Sequence, residues 1–156
     1  MSEAARVDID PAPVPRSYFF EDLEMGLSAH VLRTVTADDI QAFADISGDY
    51  NPVHLDEDYA AGTMFKACIA HGILSASYVS AVFGMHLPGP GAIYISQTLN
   101  FKAPVFVGDE VRTDVEVQAL FPQKRRAIFA CTCHVGARLV LDGEAVIMVP
   151  SRPAES

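Results

Sequence analysis

The stretch from Gly72 to Phe83 is the part of this sequence that most limits its fold. At helical spacing Ile73, Leu74, Ala76, Val79, Ala81, Val82 and Phe83 leave almost no polar face, and a helix that is apolar all round belongs in an interior. Leu87-Pro88-Gly89-Pro90-Gly91 then ends it. The run from Ala67 to Met85 carries no charge apart from His71 and approaches the roughly 20 residues of a membrane span. Ser75, Ser77, Ser80 and His71 interrupt that run, and the segments after it need apolar cover. A buried helix is the expectation, and no membrane association.

Beyond the break the period changes from helical to two. Ile93, Ile95, Leu99 and Phe101 fall on one face, interrupted by Gln97, with Tyr94, Ser96, Thr98 and Asn100 on the other. After the turn residues Gly108-Asp109, Val111, Val115 and Val117 alternate with Arg112, Asp114 and Glu116, and two more β-rich runs cover about 126 to 135 and 138 to 149. Four late strands are therefore expected, with a further short one between Tyr18 and Arg33. One buried helix and several antiparallel strands share a single apolar partner when the sheet curls around the helix, an α+β arrangement.

A chain of 156 residues, 50% hydrophobic and 20% charged, suits one globular domain rather than a disordered segment. Pro11, Pro13 and Pro15 mark residues 1–17 as a flexible lead-in; 18–150 form the domain, and 151–156 a short tail with no assigned role. The net charge of -9 disfavours nucleic-acid binding, which needs an excess of cations. For a phosphorylated ligand the available donors are Lys124-Arg125-Arg126, Lys102, Arg112 and Arg138, although solvated surface charge is the favoured reading of them. Three cysteines cannot close a disulfide framework, so a reducing, cytoplasmic setting is expected, with Cys131 and Cys133 as core residues of one strand face. Glu3 and Asp8 make the N-terminus unlike a signal peptide.

Thr36 followed three positions later by Asp39 predicts a capped helix through Ile40, Phe43, Ala44 and Ile46 that stops at Gly48. Its end delivers the chain into Asp49-Tyr50-Asn51-Pro52-Val53-His54. Pro52 pushes Asn51 toward extended geometry, so Asp49 and His54 are expected on a stiffened loop rather than one helical face. A short helical turn follows at about Asp56 to Ala61. A carboxylate and an imidazole aimed together suit general acid/base work. An Asx residue after a glycine also forms turns, so the pair alone does not establish catalysis.

His71-Gly72 stands at the start of the apolar helix, where unpaired NH groups favour developing negative charge. Gly72 would let a thioester carbonyl approach its NH as in an oxyanion hole, or it simply eases tight packing. Asp49, His54 and His71 could also be read as a two-histidine, one-carboxylate metal set, but their spacing matches no recognisable metal motif and no metal is expected. Gly89 and Gly91 belong to the helix break, and no phosphate-cradling loop is present.

With these residues in place, Asp49 to His54, His71-Gly72 and Phe101-Lys102-Ala103-Pro104-Val105-Phe106-Val107-Gly108-Asp109 closely resemble the (R)-specific enoyl-CoA hydratases of the MaoC-like group. The resemblance spans about Tyr18 to Val149. It implies a hot-dog fold, an antiparallel sheet wrapped around a long central helix, and a homodimer. It further implies syn hydration of trans-2-enoyl-CoA to (R)-3-hydroxyacyl-CoA, or the reverse, with no cofactor beyond the coenzyme A of the substrate. By the same resemblance Asp49 and His54 form the catalytic dyad, the Gly72 NH binds the thioester oxygen, Ser80 matches a site-associated serine, and Asn51 and Pro52 position the loop. Helix geometry sets Ser80 roughly 12 Å beyond Gly72 along the axis. A hot-dog acyl-CoA thioesterase and a non-catalytic acyl-CoA-binding module are the competing expectations.

Overall fold

The computed structural model describes residues 15–154. The expected lead-in falls largely on residues 1–14, outside the described residues, as do the last two positions of the tail. In chain order the elements are β1 (Ser28–Thr34), α1 (Ala37–Ser47), α2 (Pro52–Leu55), α3 (Glu57–Ala61), α4 (Gly72–Met85), β2 (Ile93–Gln97), β3 (Asn100–Phe101), β4 (Glu110–Phe121), β5 (Arg126–Val135) and β6 (Arg138–Met148). The strands form one sheet in the order β1-β4-β5-β6-β2, with β3 also on β6, and all the pairings are antiparallel.

The expected alternation is what curls this sheet onto α4. Val111, Thr113, Val115 and Val117 of β4, Ala127, Phe129, Cys131 and Cys133 of β5, and Ala145 and Ile147 of β6 are buried on the inner face. From α4, Leu74, Tyr78, Val79, Val82 and Phe83 meet them. Burial of one such large side chain contributes about 1.5–3 kcal/mol. Phe83 packs edge-on to Phe129 with ring centroids 5.1 Å apart, an arrangement favourable beyond its buried area. This is the hot-dog architecture that the resemblance implies.

Three departures from the sequence expectations have local causes. The sheet covers only one side of α4, so Ser77 and Ser80 are exposed and Ile73 is 52% exposed. The strand expected across Ile93 to Phe101 divides into β2 and β3, with a bulge between Tyr94 and Ser96. Its apolar residues are not buried within the chain: Ile93, Ile95 and Phe101 are 50%, 40% and 53% exposed. At the division the Thr98 backbone lies on Gly143, where an added Cβ would meet the Thr98 carbonyl oxygen at 1.9 Å, a close backbone approach that only glycine permits. The possible early strand is present as β1, and β4 runs on to Phe121.

Candidate active site

The site starts at a helix end. Thr36 Oγ1 accepts from the Asp39 NH at 3.1 Å, and an Asp39 carboxylate oxygen accepts from the Thr36 NH at 3.0 Å, so the expected capping box forms. α1 then ends at Gly48, and the chain turns through a relay of Asx bonds. The Asp49 carboxylate accepts from the Asn51 NH at 3.1 Å, and Asn51 Oδ1 accepts from the Val53 NH at 3.2 Å.

Here the expectation of a stiffened loop needs correction. Asn51 is extended, as a residue before proline should be, but Pro52 opens a helical turn, α2, with Asn51 as its N-cap and His54 near its end. At the first helical position the missing NH costs nothing and the fixed φ of proline is already helical. α2 is held from both ends of the His54 region by one residue: Ile69 NH donates to Val53 O at 3.2 Å, and His54 Nδ1 lies 2.7 Å from Ile69 O. A carbonyl oxygen only accepts, so Nδ1 carries the proton and the neutral ring keeps its lone pair on Nε2.

His71, just before α4, closes the arrangement. Its Nε2–H donates to the main-chain oxygen of Asp49 at 3.0 Å. Its ring stacks on that of His54 with centroids 3.8 Å apart and planes 26° apart, and Phe43 of α1 approaches at 4.7 Å. His71 is 3% exposed, and among the described residues its Nδ1 has no hydrogen-bond partner. The sequence pointed to His71 only as a helix-start residue and a candidate metal ligand. Its contact with Asp49 spans 22 positions, beyond the reach of any spacing argument.

Asp49, His54 and His71 do offer ligand atoms within 4.8 Å of one another. They fit a metal ion poorly, because His54 Nδ1 and His71 Nε2 are each committed to a carbonyl.

Gly72 is the first residue of α4, where the NH has no intrahelical partner. An added Cβ would sit 2.6 Å from two atoms of the Phe101 ring. The packing reading of Gly72 therefore holds, and the same lack of a side chain leaves its NH approachable. His71 and Gly72 line a cavity of about 480 Å³ whose walls include Met64, Phe65, Phe101, Val105 and Leu141. Asp49 and His54 do not line it; the cavity meets the pair at His71 and Gly72. Asp49 is exposed and His54 half-buried.

Ser80 is not brought to this cavity. It is exposed in a separate groove between α4 and β2, beside Ile73, Ser77 and Tyr94. Among the phosphate-donor candidates Lys102 lines the cavity, whereas Arg112 and Arg138 are engaged by Asp114 and Asp109. Lys124 and Arg126 face a different pocket at the β4–β5 connection. Burial pushes the thiols of Cys131 and Cys133 up to about 11, as expected of core residues rather than nucleophiles.

An antiparallel sheet around a central helix, with an aspartate and a histidine beside a helix-start glycine, makes a candidate acid/base site on a hot-dog scaffold. The chain belongs to the MaoC-like dehydratase family: the MaoC like domain matches residues 20–134. It is 51% identical to the (R)-specific enoyl-CoA hydratase of Rhodospirillum rubrum over 86% of this chain and 94% of that protein. It is 54% identical to the 3-hydroxybutyryl-CoA dehydratase of Methylorubrum extorquens over 90% and 89% respectively. Among solved structures, the (R)-hydratase from A. caviae superposes with a TM-score of 0.81 at 45% identity, covering 83% of this chain and 99% of that one.

Proposed function

We propose that this chain catalyses the reversible syn addition of water to trans-2-enoyl-CoA, giving (R)-3-hydroxyacyl-CoA, a reading supported by its similarity to (R)-specific enoyl-CoA hydratases. The observation that carries the reading is the His54 imidazole, anchored through Nδ1 on Ile69 O and with a ring nitrogen within 4.8 Å of an Asp49 carboxylate oxygen, beside the helix-start NH of Gly72 at an apolar cavity. In the hydration direction the Gly72 NH donates a hydrogen bond to the thioester oxygen and draws electron density from the double bond. Water held between Asp49 and His54 attacks Cβ. The proton released from water is taken up by the pair, and the pair returns a proton to Cα as the enolate collapses, so that both groups end the turnover in the state in which they began it. Dehydration runs the same steps backwards. An oxyanion donor of this kind accounts for about 10²- to 10³-fold in rate.

The apolar walls around Phe101 suit the acyl chain, and Lys102 is the cation placed to meet a phosphate of the coenzyme. Asn51 caps the turn that carries His54, and Pro52 opens it. No metal or redox group takes part in this proposal, and turnover that vanishes with a chelator and returns with a divalent ion would overturn that part. A homodimer belongs to the same reading. The unpaired edge of β2 and the open face of α4 expose Ile73, Ile93, Tyr94 and Ile95 together, and a second copy would cover them and the groove that holds Ser80. No helix among the described residues is long and apolar enough to cross a membrane, and the three free thiols suit a reducing cytoplasm.

Crotonyl-CoA tests the reaction. Loss of enoyl absorbance without release of free thiol, with the (R) product on chiral analysis, is expected. Thiol release would instead establish a thioesterase, and binding without turnover a non-catalytic acyl-CoA module.

A further inference from the structure

We propose that His71 is a positioning residue for this reaction, one imidazole that holds Asp49 and His54 in register through its edge and its face. The inference rests on the hydratase reading of the site. His71 occupies the N-cap of α4 but makes no capping bond with its side chain, although that position favours residues that do cap. The side chain is directed backwards instead. Its Nε2–H donates to the main-chain oxygen of Asp49 at 3.0 Å, and its ring lies on His54 with centroids 3.8 Å apart.

Each contact restrains what the local structure leaves loose. Among the described residues the one hydrogen bond on the His54 ring is Nδ1–H to Ile69 O, and a ring held at a single nitrogen can still rock about that bond. A stacked face opposes the rocking and so fixes where Nε2 points. Among the described residues the Asp49 side chain bonds only to the nearby Asn51 NH, which positions the carboxylate relative to its own turn but not relative to His54. The His71 bond to Asp49 O ties that turn to the same ring that supports His54.

A purely structural role explains the residue less well. His71 is 3% exposed and among the described residues leaves Nδ1 without a partner, and an unsatisfied buried nitrogen is unfavourable. An apolar side chain would fill the space without that defect. What an apolar side chain cannot supply is a donor at the edge together with a flat face.

The test uses the full chain with crotonyl-CoA and three substitutions. H71Q keeps a donor near the Nε2 position, H71F keeps a ring face, and H71L keeps neither. Misplacement of a reacting group by about 1 Å costs on the order of 10²-fold, so kcat should fall by about that factor in H71L and by less in H71Q and H71F, with KM changing less than kcat. In ¹H–¹⁵N spectra of the imidazoles, His54, whose tautomer Ile69 O sets in every variant, should give one sharp set of ring signals in the wild type and exchange-broadened or multiple signals in H71L. If H71L does not fold, H71Q against H71F carries the same comparison. Unchanged kcat, or a loss that only follows the folded fraction while the His54 spectrum stays as in the wild type, would overturn the proposal. Should the wild type fail to hydrate crotonyl-CoA, the function fails, and the His54 spectra still decide whether His71 sets the ring.

Discussion

At Gly72 one α-carbon meets two demands, close contact with the Phe101 ring and an open NH at the cavity. G72A places a methyl group 2.6 Å from two ring atoms, so Phe101 must move. Overpacking of this kind costs about 1–3 kcal/mol, and a lower melting temperature is expected, with part of it regained in G72A/F101L. Equal stability of G72A and wild type would show that the ring yields freely. For the proposed dyad, D49N and H54A are each expected to lower kcat by about 10²-fold or more. Unchanged turnover in both would remove the site assignment. Asp49 and His54 were legible as a pair because their chemistry and proximity lie within one short segment. His71 was not, since its two partners come from elements far away in the chain.

At the scale of elements, α2 shows how much one cap decides. Pro52 reads as a breaker when taken alone, but Asn51 Oδ1 on the Val53 NH turns the same proline into a helix start. N51A removes that acceptor and should destabilise by about 1 kcal/mol. Because His54 sits in this turn, kcat should fall with it, and thermal melts beside steady-state rates will check both. β5 carries a different signature. Its thiols Cys131 and Cys133 ionise at about 11 in the folded chain because burial disfavours the thiolate, against an ordinary value of 9.0. Above pH 9 the unfolded chain therefore releases protons that the folded chain retains, and stability present in full below that pH declines on the way to 11. The slope is about 1.4 kcal/mol per pH unit for each thiol at most. Denaturant melts between pH 9 and 10, below the range in which Tyr78 and Tyr94, both raised to about 12, add to the effect, should show a shallower decline in C131A/C133A. An identical decline in that variant would mean that other groups cause it.

For the whole molecule, what matters is the face that the chain leaves open. Ile93 and Ile95 carry the alternation of a buried strand, yet they are half-exposed on β2 at the end of the sheet path. Apolar spacing reports that a face will be covered but not by which chain. I95K should therefore give a monomer in sedimentation at micromolar concentration while the wild type sediments as a dimer, and a monomeric wild type would count against the homodimer. α1, α4 and the strands β4 to β6 could be read from the sequence, because caps, proline breaks and hydrophobic period act between residues a few positions apart. The same locality exposed the Asp49–His54 segment and the glycine that opens α4. Only the tertiary structure decided that Ile69 fixes the proton on His54 Nδ1, that Phe101 lies over Gly72, and that His71 braces the pair. Those outcomes depend on packing between segments that the sheet and helix bring together, and pattern along the chain carries no information about the distance between them.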